Sequence, residues 1–137
     1  MSKGIPQVSK YMTAMPKAIE PHQTLETARS WMDEMRVRHL AVRSAKKVIG
    51  IISDRDISLV AGFKDADLSK VAVSDAMTND PYCVPPETPL DVVCSNMAEH
   101  RYGSTLVVQE NGTLVGIFTY TDALKVLAEI FTTRLKK

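Results

Sequence analysis

A chain of 137 residues with 17 basic and 16 acidic side chains is long enough for one domain that buries on the order of two-thirds of its unfolded surface. Its net charge of +1 argues against a general nucleic-acid binder, whose affinity would come from a basic stripe over phosphates. Two cysteines without a CxxC spacing argue against a disulfide or zinc scaffold, and apolar runs far below the roughly 20 residues of a membrane span, with no signal-peptide stretch, point to a soluble cytoplasmic chain with no membrane partner.

The chain opens with a turn-like piece, Val8 to Met12, followed by Thr13 and, three residues on, Pro16. Ala18-Ile19 lies between prolines and is predicted to be extended, with a polar turn at Pro21. Leu25, Ala28, Trp31, Met32 and Met35 recur at the three-and-four spacing of a buried helical stripe. His39 to Val42 and Val48 to Ile52 are β-rich runs joined by the polar turn Ala45-Lys46-Lys47, which predicts a hairpin. Residues 54–61 then read as a helix with Gly62 as its C-cap, and the polar stretch Lys64 to Lys70 as a link. The same order follows again. Val73 to Met77 is turn-like, Cys83-Val84 extended, and Thr88-Pro89-Leu90-Asp91 reads as an N-cap, a proline at the first helical position and an acid at N3. Leu90, Val93, Cys94 and Met97 form the stripe, residues 105–108 and 114–118 the hairpin around Glu110-Asn111-Gly112, and residues 120–135 a long amphipathic helix.

This recurrence is written into the residues themselves. Laying residues 8–43 on 73–108 makes 12 of 36 positions identical, among them Val8/Val73, Met12/Met77, Thr13/Thr78 and Arg36/Arg101, where roughly two or three would be expected by chance. After one inserted residue, Gly50-Ile51-Ile52-Ser53 falls on Gly116-Ile117-Phe118-Thr119. Two β-α-β-β-α copies of about 60 residues cannot easily close separate cores, so the expectation is an α+β fold with internal pseudo-twofold symmetry. Residues 8–60 carry nine basic against six acidic side chains and residues 73–126 two against seven. On that count a small anion favours the first copy, at Lys17, Arg36, Arg38 and Arg55.

The chemistry-bearing candidate is the strand-to-helix junction, Ser53-x-x-Asp56 and Thr119-x-x-Asp122. A hydroxyl with backbone amides at a helix start suits an anion, and an aspartate one turn in can accept from a vicinal diol. The same pattern is also a capping box that only satisfies orphan amides, and for either copy alone the cap is the plainer reading. No nucleophile with a matched base, phosphate loop or paired carboxylate stands apart from these caps, so catalysis is not expected. His22 and His100 have no ligand spacing, so no metal site is assigned.

The chain resembles a tandem pair of CBS domains, a Bateman module. The residues that carry the likeness are Met12-Thr13-x-x-Pro16, Arg36 to Val42 and Val48 to Asp56, with Met77-Thr78-x-x-Pro81, Arg101 to Val108 and Leu114 to Asp122 in the second copy. The resemblance divides the chain into an extension (1–7), a first repeat (8–63), a linker (64–72), a second repeat (73–131) and a tail (132–137), a stand-alone module. It implies repeats packed sheet to sheet with clefts for adenosine-containing ligands such as AMP, ADP, ATP, NAD or S-adenosylmethionine, none an obligatory cofactor. Asp56 and Asp122 would hold ribose hydroxyls, and Ser53 and Thr119 would sit near ribose and phosphate. Thr13 and Thr78, with the backbone of Ala18 and Cys83, would flank adenine, and Arg38 and His39 would reach phosphate. A lone histidine such as His39 is otherwise a packed or exposed residue. The second copy has Gly103 and Ser104 in place of Arg38 and His39, so equal filling of the clefts is not implied. The resemblance also implies homodimers through helices, for which Leu124, Leu127, Ile130 and Phe131 offer a face, and a protein partner of unknown identity that reads the bound state. The alternative from another class is a ligand-free dimeric scaffold in which both motifs are caps.

Overall fold

The computed structural model describes residues 4–15 and 17–135. Pro16 of the first motif and the outer residues of the extension and tail lie outside the described residues. The fold is mixed α+β and divides into two compact units, residues 17–81 and residues 1–16 with 82–137.

In the unit 17–81, helix α1 (Leu25–Met35) leads into the hairpin β2 (His39–Ser44) and β3 (Lys47–Ser53), then α2 (Asp54–Ala61), α3 (Val73–Ala76) and β4 (Thr78–Asn79). The sheet runs β2-β3-β4, all antiparallel, and the predicted strand at Ala18-Ile19 is a single parallel bridge from Ile19 to Val42. The alternation of the hairpin places Leu40, Val42 and Ile52 on the face that meets Leu25, Ala28 and Met32 of α1 and Ile57 of α2. Trp31 packs partly against this core with the Lys17 ammonium 3.8 Å from its ring centroid, while Met35, predicted for the stripe, is exposed at the helix end. Thr24 caps α1 by accepting from the Thr27 amide.

In the other unit, β1 (Thr13–Ala14), β5 (Cys83–Val84), β6 (Ser104–Val108) and β7 (Leu114–Thr119) form a sheet in the order β1-β7-β6-β5, with helices α4 (Leu90–His100) and α5 (Tyr120–Leu135). Its core is Val84, Leu90, Val93, Met97, Val107 and Phe118, joined by Val8 from the start of the chain. Thr88 is not the N-cap of α4: Pro89 occupies that position, and the Thr88 hydroxyl donates to Pro85 O at 2.8 Å. Pro89 cannot be the first helical residue here because its ψ of 141° is extended.

The compact units cut across the sequence repeats. Val8 and Val73, the same residue of each repeat, are fully buried in the body of the opposite repeat. Matching backbone bonds hold them: Val8 N to Thr88 O and Leu90 N to Pro6 O in one unit, Val73 N to Gln23 O and Leu25 N to Val71 O in the other. The opening pieces are exchanged. With that exchange the charge contrast expected between the copies shrinks, since residues 17–60 with 73–81 hold eight basic and eight acidic side chains and residues 8–16 with 82–126 three and five.

Candidate functional site

What brings the opening pieces to the strand ends is the repeated glycine. A Cβ at Gly50 would lie 2.6 Å from Met77 Sδ and 2.9 Å from Thr78 O, and one at Gly116 would lie 2.5 Å from Met12 Sδ and 2.9 Å from Thr13 O. Only a bare α-carbon admits the Met-Thr segment this close. Thr78 is thereby paired with Ile51 on β3, and Thr13 with Ile117 on β7, each two residues before a junction hydroxyl. The glycine and methionine had no functional reading in the sequence, though their recurrence at matched positions was the available signal.

At the junction of the unit 17–81, Ser53 Oγ accepts from the Asp56 amide at 3.1 Å and Asp56 Oδ2 accepts from the Ser53 amide at 2.9 Å, a reciprocal capping box. This arrangement uses one oxygen of the carboxylate and leaves the hydroxyl proton of Ser53 unspent. Among the described residues neither Asp56 Oδ1 nor the Ser53 O–H has a hydrogen-bond partner. The site therefore holds one acceptor suited to a sugar hydroxyl and one donor suited to a phosphate oxygen. His39, the first residue of β2, pairs with Ser53 across the hairpin. Burial lowers its pKa from 6.5, opposed by the charges of Asp54 and Asp56 and reinforced by Arg38. Ala18 lies beside the bridge from Ile19 to Val42, half-buried.

Arg38 is held at the surface. Its guanidinium, 83% exposed, lies 3.9 Å from Asp54, an ion pair of little net energy at that exposure. Arg38 lines a cavity of about 530 Å³ with Arg29, Arg36, Asp33 and Asp54. Asp54, Ile57 and Ser58 of that cavity share one face of α2, and Asp56 falls on another. The structure thus gathers Ser53, Asp56 and His39 at one junction with Thr78 on the neighbouring strand, and places the exposed Arg38 side chain by Asp54, near enough for its charge to act on His39.

In the second unit the same residue types are wired differently. Asp122 Oδ2 accepts from the Thr119 amide at 2.9 Å and from the Thr119 hydroxyl at 3.2 Å, while Oδ1 accepts from Thr13 Oγ1 at 2.9 Å. Asp122 is 6% exposed. Each carboxylate oxygen carries a hydrogen bond, and both hydroxyl protons are spent. Cys83 lies on β5 beside Leu106, and at Gly103, in place of Arg38, an added Cβ would lie 3.8 Å from the Tyr120 ring. Tyr82, Tyr102 and His100 stack nearby at 5.1 and 5.2 Å between centroids. A groove of about 720 Å³ bordered by Ile5, Tyr11, Leu90, Val126 and Ile130 does not include this junction. Among the described residues no group of His, Cys, Asp or Glu could hold a metal ion, and no helix is long and apolar enough to cross a membrane.

The family model of the CBS domain matches residues 8–61 and 73–129. Over 134 residues the chain is 28% identical to an inosine-5'-monophosphate dehydrogenase of Korarchaeum cryptofilum, a match that spans 98% of this chain and 27% of the dehydrogenase. It is 29% identical over 115 residues to the CBS domain-containing protein YhcV of Bacillus subtilis, covering 84% of this chain and 81% of that protein. Among solved structures, a hexameric CBS-CP12 protein from bloom-forming cyanobacteria superposes with a TM-score of 0.79 at 28% identity, covering 88% and 67% of the two chains. CBSX2 from Arabidopsis thaliana in complex with AMP gives 0.78 at 22% identity over 91% and 98%. The CBS domain pair of MJ0100, bound to 5'-methylthioadenosine and S-adenosyl-L-methionine, gives 0.77 at 20% over 88% and 98%. For the last two the likeness is one of fold.

Proposed function

The chain belongs to the CBS-domain family, and on that premise we propose that it is a non-catalytic regulatory module whose strand-to-helix junctions bind an adenosine-containing ligand: AMP, ADP, ATP, NAD or S-adenosylmethionine. The observation that carries this reading is the junction of the unit 17–81, where among the described residues Asp56 Oδ1 and the Ser53 O–H have no hydrogen-bond partner. A ribose hydroxyl donating to a carboxylate makes a charge-assisted bond of about 1.5–3 kcal/mol, and the serine hydroxyl would meet the phosphate. Solved CBS pairs with AMP, methylthioadenosine and S-adenosylmethionine support the ligand class. That the dehydrogenase match spans 27% of that protein supports a role outside its catalytic part.

A panel of adenine nucleotides in a thermal-shift assay tests the proposal. At a hundredfold excess over Kd a bound ligand adds about 2.7 kcal/mol, a rise of several degrees at this size. If no adenosine compound moves the midpoint, the second reading stands: a ligand-free dimeric scaffold, favoured by the engagement of Asp122 with Thr119 and Thr13 of its own chain. We further propose a homodimer through α5, on which Leu124 (64%) and Phe131 (52%) are exposed together with Leu127 and Ile130.

A further inference from the structure

The two junctions are unequal before any ligand arrives, and we infer that Thr13 gates the second of them: Asp122 takes a sugar diol only after the Thr13 hydroxyl lets go of it, so the junction of residues 17–81 fills first. This rests on the reading of both junctions as ribose sites.

The donor count carries the inference. Each carboxylate spends Oδ2 on its own helix cap, through the Ser53 amide at 2.9 Å or the Thr119 amide at 2.9 Å. Asp56 keeps Oδ1 open and is half-buried, whereas Asp122 Oδ1 receives Thr13 Oγ1 at 2.9 Å and the residue is 6% exposed. Thr78 occupies in the first unit the place that Thr13 has in the second, yet it makes no hydrogen bond to Asp56 among the described residues. Asp122 is nearly buried and the donor on its Oδ1 is the Thr13 hydroxyl, so an incoming hydroxyl must move the Thr13 side chain to reach that oxygen, which at Asp56 it need not do. Replacing one charge-assisted bond by another gains little, and the forfeited increment corresponds to about tenfold in affinity.

The latch is local. Thr13 is exposed, on a strand of two residues, and its backbone is held by β7 rather than by its side chain. Val8, buried in the core with its amide on Thr88 O, and Tyr11, packed against the same core, anchor the opening piece independently of Thr13. A change of the Thr13 rotamer releases Oδ1 without detaching the segment.

Calorimetric titration with AMP separates the possibilities. Wild type is expected to bind in two steps about tenfold apart, and Asp56→Ala to lose the tighter one. In the Asp56→Ala background, Thr13→Val should then tighten the remaining site about tenfold, while Thr13→Ser, which keeps the hydroxyl, should leave it weak. In an Asp122→Ala background Thr78→Val should not tighten binding. Far-UV circular dichroism verifies that each variant is folded. The gate is overturned if Thr13→Val binds AMP as Asp56→Ala alone does, or more weakly, because the threonine is then a bystander or a ligand contact. Failure of wild type to bind AMP or any other adenosine compound removes the ribose reading and the gate with it. Binding by wild type without a response to Thr13→Val removes the gate alone.

Discussion

Ser53-x-x-Asp56 and Thr119-x-x-Asp122 are the same motif at the same place in two copies of one fold, and they have taken different states. One keeps a hydroxyl proton and an unbonded carboxylate oxygen in reserve; in the other both carboxylate oxygens and both hydroxyl protons are engaged by its own chain. A motif match assigns residue types, and the hydrogen-bond inventory around it decides what those residues are free to do. The cores diverge as well. Leu40 on β2 has Thr105 as its counterpart on β6, where the hydroxyl is fully buried without a partner. The hairpin turn of the first copy puts Ala45 at φ 57°, while the second uses Gly112 at φ 91°.

Substitutions that erase what the units share should have the largest effect. Gly50→Ala and Gly116→Ala each drive a Cβ against a backbone carbonyl and a methionine sulfur, and each should cost about 3 kcal/mol in urea unfolding. A neutral Gly116→Ala would mean that the opening piece is not held as described. The two aspartates should then separate by kind of loss. Asp122→Ala strands the Thr13 hydroxyl and the Thr119 amide and should cost about 2 kcal/mol of stability, while Asp56→Ala should cost about 1 kcal/mol as a lost cap and at least tenfold in AMP affinity.

Repairing the asymmetries gives smaller gains. Thr105→Val removes an unsatisfied buried hydroxyl and should raise stability by about 1 kcal/mol. Ala45→Gly relieves a positive φ and should gain up to about 1 kcal/mol, offset in part by the entropy of glycine in the unfolded chain. The smallest effect is that of His39. Its folded pKa lies below its unfolded value of 6.5, so the unfolded state binds the proton first and stability falls as pH drops below about 6.5, levelling out below the folded pKa. His39→Gln should flatten that part of the stability profile.

The stripes of α1 and α4 were legible because three-and-four spacing reports which face is buried, and the hairpins because β-rich runs flank polar turns. Helix ends were less so. Gly62 caps α2 in right-handed geometry at φ −77°, which needs no glycine, whereas the left-handed caps of α1 and α4 fall on Arg36 and Arg101. The exchange of opening pieces was not legible, since the contact of Met12 with Gly116 joins residues about a hundred positions apart and leaves no local pattern. For the same reason the sequence could supply Thr13 and Asp122 as candidates without saying that one occupies the other. Arg38 was named by resemblance, and its exposed side chain lies by Asp54 at the start of α2.

Comparison of AMP with 2'-deoxy-AMP on wild type and Asp56→Ala tests the diol claim most directly, because the two nucleotides differ by the one hydroxyl the carboxylate is said to receive. Titration should show wild type preferring AMP about tenfold at its tighter site, and that preference should vanish in Asp56→Ala. Equal affinity of wild type for the two nucleotides, or a preference that survives in Asp56→Ala, would contradict the assignment.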